Sequence, residues 1–191
     1  MPGPADGRAR QSPPGYRRKR GKSPRESGGL YNRIPSGPPG PANSTHWMNK
    51  VDDERWLRAA VALAAQCPPA ATAFSVGAVI VADDRLLSQG FSRQTDPHDH
   101  AEEVALAAAG TELSAATVYS SLEPCGQRAS RPRSCAELII AAGIRRVVFA
   151  WREPDTFVPA RGARLLTEAG VTVVQLPELA DAAAAPNAHL L

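Results

Sequence analysis

Apolar positions change their period several times along this chain, and each change predicts an element. Trp56, Leu57, Ala60, Val61 and Ala64 recur every three to four residues, the spacing of one helix face. That helix is capped at Asp52 or Asp53, runs to about Gln66 and is stopped by Pro68-Pro69. Ser75–Ala82 (SVGAVIVA) is a β-branched run, Asp83-Asp84 is a turn, and Arg85–Phe91 returns as a second strand. Gly77 stands inside the first strand, where a missing side chain marks close approach of a ligand or another backbone. Helices are predicted from about His100 to Ala109, over Cys135–Ala142 and over Ala163–Ala169, ended by Gly110, Gly143 and Gly170. Strands are predicted at Ala116–Leu122, Arg146–Ala150 and Val171–Leu176. Strands alternating with helices require crossovers and a largely parallel sheet, and the opening hairpin adds antiparallel pairing at one side. The expected fold is a three-layer α/β/α domain around a mixed five-stranded sheet.

This pattern begins only after residue 47. Residues 1–47 hold nine of the 18 prolines and eight of the 15 glycines. Such a segment cannot bury enough apolar surface to offset its ordering entropy, so it is expected to be a disordered tail before a domain spanning 48–191. Charge divides at the same place. Nine of the 22 basic and two of the 19 acidic residues lie in 1–47, giving the tail +7 and leaving −4 on the remainder. The net +3 is therefore a property of the tail, and the acidic body argues against a general nucleic-acid binder. No apolar run approaches the roughly 18 residues of a membrane span.

Three cysteines at wide spacing do not make a disulfide framework. Cys125 and Cys135 with His100 supply one imidazole and two thiols, a set that can hold Zn²⁺ with a fourth position open. Such thiols must stay reduced, which points to a cytoplasmic setting. Cys67, at the stop of the first helix, is expected to be a packed thiol. Glu102, two residues after the histidine, has the length and charge to move protons without ligating. Glu103, about 100° further round, reads as a surface acid. His100-x-Glu102 followed by Pro124-Cys125 and a second Cys is the order of parts in zinc-dependent base deaminases.

Residues 51–177 resemble the cytidine-deaminase-like superfamily, and most closely the pyrimidine deaminase domain of the riboflavin pathway. The matching pieces are VGAVIV (76–81), HAE (100–102), SSLEPCG (120–126), CAELIIAAGIRRVV (135–148) and EPDTFV (153–158). Nine residues separate the two cysteines, a longer loop than the C-x-x-C of cytidine and transfer-RNA deaminases. The resemblance implies a zinc deaminase of a small aminopyrimidine nucleotide, acting as a possible homo-oligomer and here without the usual reductase domain. Ala73 stands where that family commonly has Asn, and Ser92 where it has a substrate-contacting His. Arg131 aligns with the family's basic residue, followed by Pro132 and Arg133 in place of Thr and Pro. Phosphate binding is expected in the loop between the cysteines, through Arg131, Arg128 and Arg133. The competing readings are a deaminase of another nucleoside, nucleotide or specialised metabolite, a nucleic-acid editing enzyme, and a non-catalytic zinc module.

Overall fold

The computed structural model describes residues 50–110, 112–152, 154 and 161–191. The chain divides into Met1–Ser44 and Thr45–Leu191, and the second unit holds every described residue. The expectations for the 1–47 tail and for the 153–158 segment fall largely or wholly outside the described residues.

Helix α1 (Lys50–Ala64) leads into strands β1 (Gly77–Ala82) and β2 (Arg85–Phe91). Helix α2 (Ala101–Ala108), strand β3 (Thr117–Leu122), helix α3 (Cys135–Ala141) and strand β4 (Arg146–Trp151) follow. Helix α4 (Gly162–Glu168) and strand β5 (Thr172–Gln175) complete the sheet. Its order is β2-β1-β3-β4-β5, with β1 antiparallel to both neighbours and β3, β4 and β5 parallel. This is the expected mixed sheet. Both residues of the β1–β2 turn, Asp83 and Asp84, adopt the left-handed conformation (φ 49° and 58°), which matches a two-residue hairpin to the strand twist.

The two faces of the sheet bury different clusters because successive strand residues point to opposite sides. Ala78, Ile80, Val118 and Val147 meet α2, α3 and α4 through Ala101, Ala105, Ile139 and Leu166. Val79, Val81, Tyr119 and Val148 meet Leu57, Ala60 and Leu63 of α1. Ala183 of α5 (Ala180–Ala184) joins the same face. Gly77 is required by packing: a Cβ there would sit 2.1 Å from the Ala60 carbonyl oxygen, so β1 can approach α1 only without a side chain.

Two expectations for α1 need correction. Asp53 is not a cap but lies inside the helix, buried, where its carboxylate accepts from both Nη atoms of Arg146 (2.8 and 2.7 Å) and from the Tyr119 hydroxyl (2.9 Å). Leu63, missed by the periodicity, is buried, whereas Trp56 and Val61 sit at the margin. The segment after β5 was not foreseen as structured: a 3-10 turn (Pro177–Leu179), α5 and a second 3-10 stretch (Ala185–Leu190) fold back over the domain. Among the described residues no helix is long and apolar enough to cross a membrane.

Candidate active site

Because β3 and β4 are parallel and β1 runs against β3, one end of the sheet gathers three loops. They are the entry to β1 (68–76), the exit from β2 (92–100) and the exit from β3 (123–134). A cavity of about 650 Å³ opens among them, lined by Phe74, Ser92, His98, His100, Glu102, Cys125 and Arg128, among others.

Each loop has a local reason for its shape. Asp99, almost fully buried, closes the 92–100 loop: its Oδ2 accepts from Thr95 N–H (3.1 Å), Thr95 Oγ1 (2.6 Å) and Asp96 N–H (2.8 Å). Burial alone would push the Asp99 carboxyl up, but these hydrogen bonds, with one from Arg131, hold it below its ordinary value. His100 is left at the N-cap of α2 in an extended conformation, with no side-chain hydrogen bond to the helix amides. On the third loop Ser134 caps α3 in a reciprocal box with Glu137, which places Cys135 on the first turn. Glu123 Oε1 accepts from the Ala163 amide at 2.8 Å, tying this loop to α4. The tie is tight, since a Cβ at Gly162 would fall 1.6 Å from the Pro124 oxygen.

His100, Cys125 and Cys135 thereby converge, with one potential ligand atom from each within 4.8 Å of the others. His100 Nδ1 is 3.5 Å from Cys125 Sγ and 3.4 Å from Cys135 Sγ. A tetrahedral zinc with Zn–S near 2.3 Å and Zn–N near 2.0–2.1 Å puts its nitrogen and sulfur ligands about 3.5 Å apart, so the donor set and its spacing fit this ion. The hydrogen bond with Cys135, helped by His100, pulls the Cys125 thiol down to about 4; that same bond and burial push Cys135 up. Burial lowers the His100 imidazole, but the hydrogen bond and charge of Cys125, together with the charge of Glu102, raise it overall. Cys67 is no part of the cluster: its thiol donates to the Val76 carbonyl at 3.3 Å.

Glu102 sits at the cavity beside the cluster, 3% exposed, and Ser120 Oγ donates to its Oε1 at 2.7 Å. Burial pushes the Glu102 carboxyl above the ordinary carboxylate range. Ser120 escaped the sequence reading because every residue of β3 is buried, which leaves no polar face to single it out.

The remaining expected site residues separate. Ala73 and Ser92 line the cavity, and Ser92 Oγ accepts from the Val76 amide at 3.2 Å. Of the three loop arginines only Arg128 is on the cavity wall. Its side chain is 5% exposed, its Nη2 lies 3.0 Å from Glu103 Oε2, its Nε donates to the Arg133 carbonyl, and its buried Nη1 has no hydrogen-bond partner. Arg131 stands among carboxylates, 3.4 Å from Asp96, 3.3 Å from Asp99 and 3.6 Å from Glu103. Arg133 is exposed outside the lining. Glu103 is thus corrected from a surface acid to a half-buried partner of two arginines, because the cysteine loop folds over the first turn of α2.

A family model described as the cytidine and deoxycytidylate deaminase zinc-binding region matches residues 50–151. The chain is 38% identical over 141 residues to the diaminohydroxyphosphoribosylamino-pyrimidine deaminase of Schizosaccharomyces pombe, covering 71% of this chain and 35% of that one. The fold matches Acinetobacter baumannii RibD, form 2, with a TM-score of 0.65 at 35% identity, over 74% of this chain and 39% of that one. It also matches the Aspergillus oryzae Rib2 deaminase (C-terminal deletion mutant), with a TM-score of 0.58 at 27% identity, over 72% of this chain and 98% of that one. The chain spans between 26% and 38% of the length of the curated relatives it matches. The matched region takes in α1 through β4 and all three converging side chains, so the chain belongs to the cytidine and deoxycytidylate deaminase zinc-binding family.

Proposed function

We propose that this chain is a zinc-dependent hydrolytic deaminase of a small aminopyrimidine nucleotide, the diaminohydroxyphosphoribosylaminopyrimidine of the riboflavin pathway, working in the cytoplasm. The observation that carries the reading is the presence of His100, Glu102 and Cys125 on one cavity wall, with Cys135 closing the cluster behind them.

His100 through Nδ1, Cys125 and Cys135 would hold the metal. When bound, zinc supplies Lewis-acid chemistry, lowering the pKa of water from about 15.7 to about 7. In the net reaction the water oxygen bonds to the ring carbon and the exocyclic C–N bond breaks. One proton of water ends on the ring nitrogen and the other leaves in ammonia. Glu102 moves both: its carboxylate takes one proton from water and gives it to the ring nitrogen, then takes the second from the newly added hydroxyl and passes it to the departing amine. Ser120 fixes Oε1 for this work. Positioned acid–base transfer of this kind contributes about 10²- to 10⁴-fold. On the cavity lining Arg128 would offer its unpartnered Nη1 to the phosphate, a charge-assisted contact. Phe74 and Ala73 form the wall nearest the entry to β1 and face the ring.

Ala73 and Ser92, which depart from the riboflavin-type pattern, favour a second reading as a deaminase of another pyrimidine nucleotide. The test is ammonia release by zinc-loaded protein across aminopyrimidine and cytosine nucleotides and their nucleosides. The proposal expects the aminopyrimidine nucleotide to lead. Preference for a cytosine nucleotide would replace it with the second reading, and no release from any substrate would remove both.

A further inference from the structure

The 68–76 loop forms one wall of the cavity through Pro69, Ala70, Thr72, Ala73, Phe74 and Val76, yet it contains no helix or strand. A wall without a hydrogen-bond ladder must have its backbone groups satisfied elsewhere. Three side chains from distant parts of the chain hold it. Arg93 donates from Nε and Nη2 to the Pro68 carbonyl (3.0 and 2.7 Å), from Nη1 to the Phe74 carbonyl (2.9 Å) and from Nη2 to Ser75 Oγ (2.9 Å). Asn187, 1% exposed, takes both backbone groups of Ser75: Ser75 N–H donates to its Oδ1 at 2.6 Å, and its Nδ2 donates to the Ser75 carbonyl at 3.0 Å. His189 Nε2 donates to the Ala70 carbonyl at 2.8 Å.

The geometry points to Arg93 and Asn187 as positioning residues that set this wall against the substrate ring. Asn187 completes Ser75 as a neighbouring strand would, although its own segment is a 3-10 stretch more than a hundred residues away in sequence. Arg93 adopts a left-handed conformation (φ 60°) that an ordinary side chain avoids, and its guanidinium spends four hydrogen bonds on the loop. The planar five-donor fork is what allows one side chain to reach three acceptors, and lysine cannot reproduce it. Since neither residue approaches the metal cluster within hydrogen-bond distance, the clamp governs how the ring is held and leaves the proton-moving groups intact. The C-terminal segment therefore supports a wall of the substrate site. This inference rests on the reading of the cavity as the deaminase site.

The experiment compares Asn187→Ala and Arg93→Lys with wild type, on the substrate that wild type turns over best and on the matching nucleoside. It is run well below each melting temperature at matched zinc content. The expected result is a KM raised about five-fold or more, by a similar factor for nucleotide and nucleoside, with kcat within about two-fold. A lowered melting temperature with unchanged KM would make the clamp merely structural and overturn the inference, as would a fall in kcat alone. Arg93→Lys keeps charge and most of the volume, so it remains informative if Asn187→Ala does not fold. If wild type deaminates nothing, the functional reading fails by itself and the clamp is read from hydrogen exchange. Asn187→Ala must then speed exchange of the Ser75 amide, which donates to Asn187 Oδ1, about ten-fold, and unchanged exchange would overturn it.

Discussion

Replacing Glu102 by Gln separates proton transfer from every other job at this site. Glu102 is 3% exposed and packed in the first turn of α2, so a change of shape there would be felt through the whole helix front. Gln avoids this. It is nearly isosteric, and its side-chain carbonyl can still accept from Ser120 Oγ, the 2.7 Å bond that fixes the native carboxylate. The buried carboxylate carries a desolvation cost, seen in its raised pKa, so the neutral amide should cost little in stability and can even gain. What the amide cannot do is accept a proton from water or return one to the ring. Turnover should fall by at least about 10²-fold, or about 3 kcal/mol in the barrier, with melting temperature and zinc content close to wild type. The assay is ammonia release at saturating substrate, with bound zinc measured on the same sample. Full activity in Glu102→Gln would refute the assignment of the proton shuttle. Loss of zinc in that variant would show the carboxylate to be a ligand instead.

Three other outcomes follow from the same geometry. Cys125→Ser and Cys135→Ser should each lose the metal, measured as zinc per chain, whereas Cys67→Ser should retain it because that thiol bonds only to Val76. Arg128→Ala should raise KM for the nucleotide about ten-fold or more and far less for the nucleoside, a charge-assisted contact being worth about 1.5–3 kcal/mol; Arg131→Ala, whose guanidinium faces three carboxylates, should do less to the nucleotide than Arg128→Ala. Asp53→Asn should cost about 3 kcal/mol of stability, the low end for breaking a buried pair because Arg146 keeps 14% of its side chain exposed, and it should show in thermal or denaturant unfolding with kcat little changed.

What could be read from the sequence was whatever is decided locally. The hairpin came through because Asp83-Asp84 ends the β-branched run of residues 75–82 before the chain returns over 85–91, and both residues do take positive φ. Helix ends came through for the same reason: Gly110, Gly143 and Gly170 all stand at positive φ (83°, 75° and 83°) just past the predicted stops. The metal cluster was legible because its residue types are chemically unusual and their order along the chain is fixed. Asp53 was misread because an acid near a helix start looks like a cap, and only the fold reveals an arginine 93 residues away. Glu103 was misread because helical angle places it off the Glu102 face but says nothing of a loop folding over that side. Asn187 was invisible, since the alanine-rich stretch around it has no clear period and its partner is a backbone 112 residues earlier.

On the proposed function, the charges of the cysteine loop explain how an acidic domain would take an anionic substrate. Without the first 47 residues the chain carries −4, which by itself repels a phosphate. Around the cavity mouth, however, Asp96, Asp99 and Glu103 are each matched by Arg128 or Arg131. Arg131 meets all three and so has little charge left to offer. Arg128 meets one carboxylate, its side chain is shielded from water at 5% exposure against 35% for Arg131, and its buried Nη1 has no hydrogen-bond partner, as is also true of Arg131 Nε, which lies 3.6 Å from Glu103. A buried donor left unsatisfied costs about 1–3 kcal/mol, so a phosphate oxygen arriving at Arg128 gains a charge-assisted bond and also relieves that penalty. Arg131 joins the cysteine loop to the 92–100 loop, and on the proposed function Arg128 would select what enters. That proposed division of labour follows from the positions of the carboxylates, which the sequence does not show.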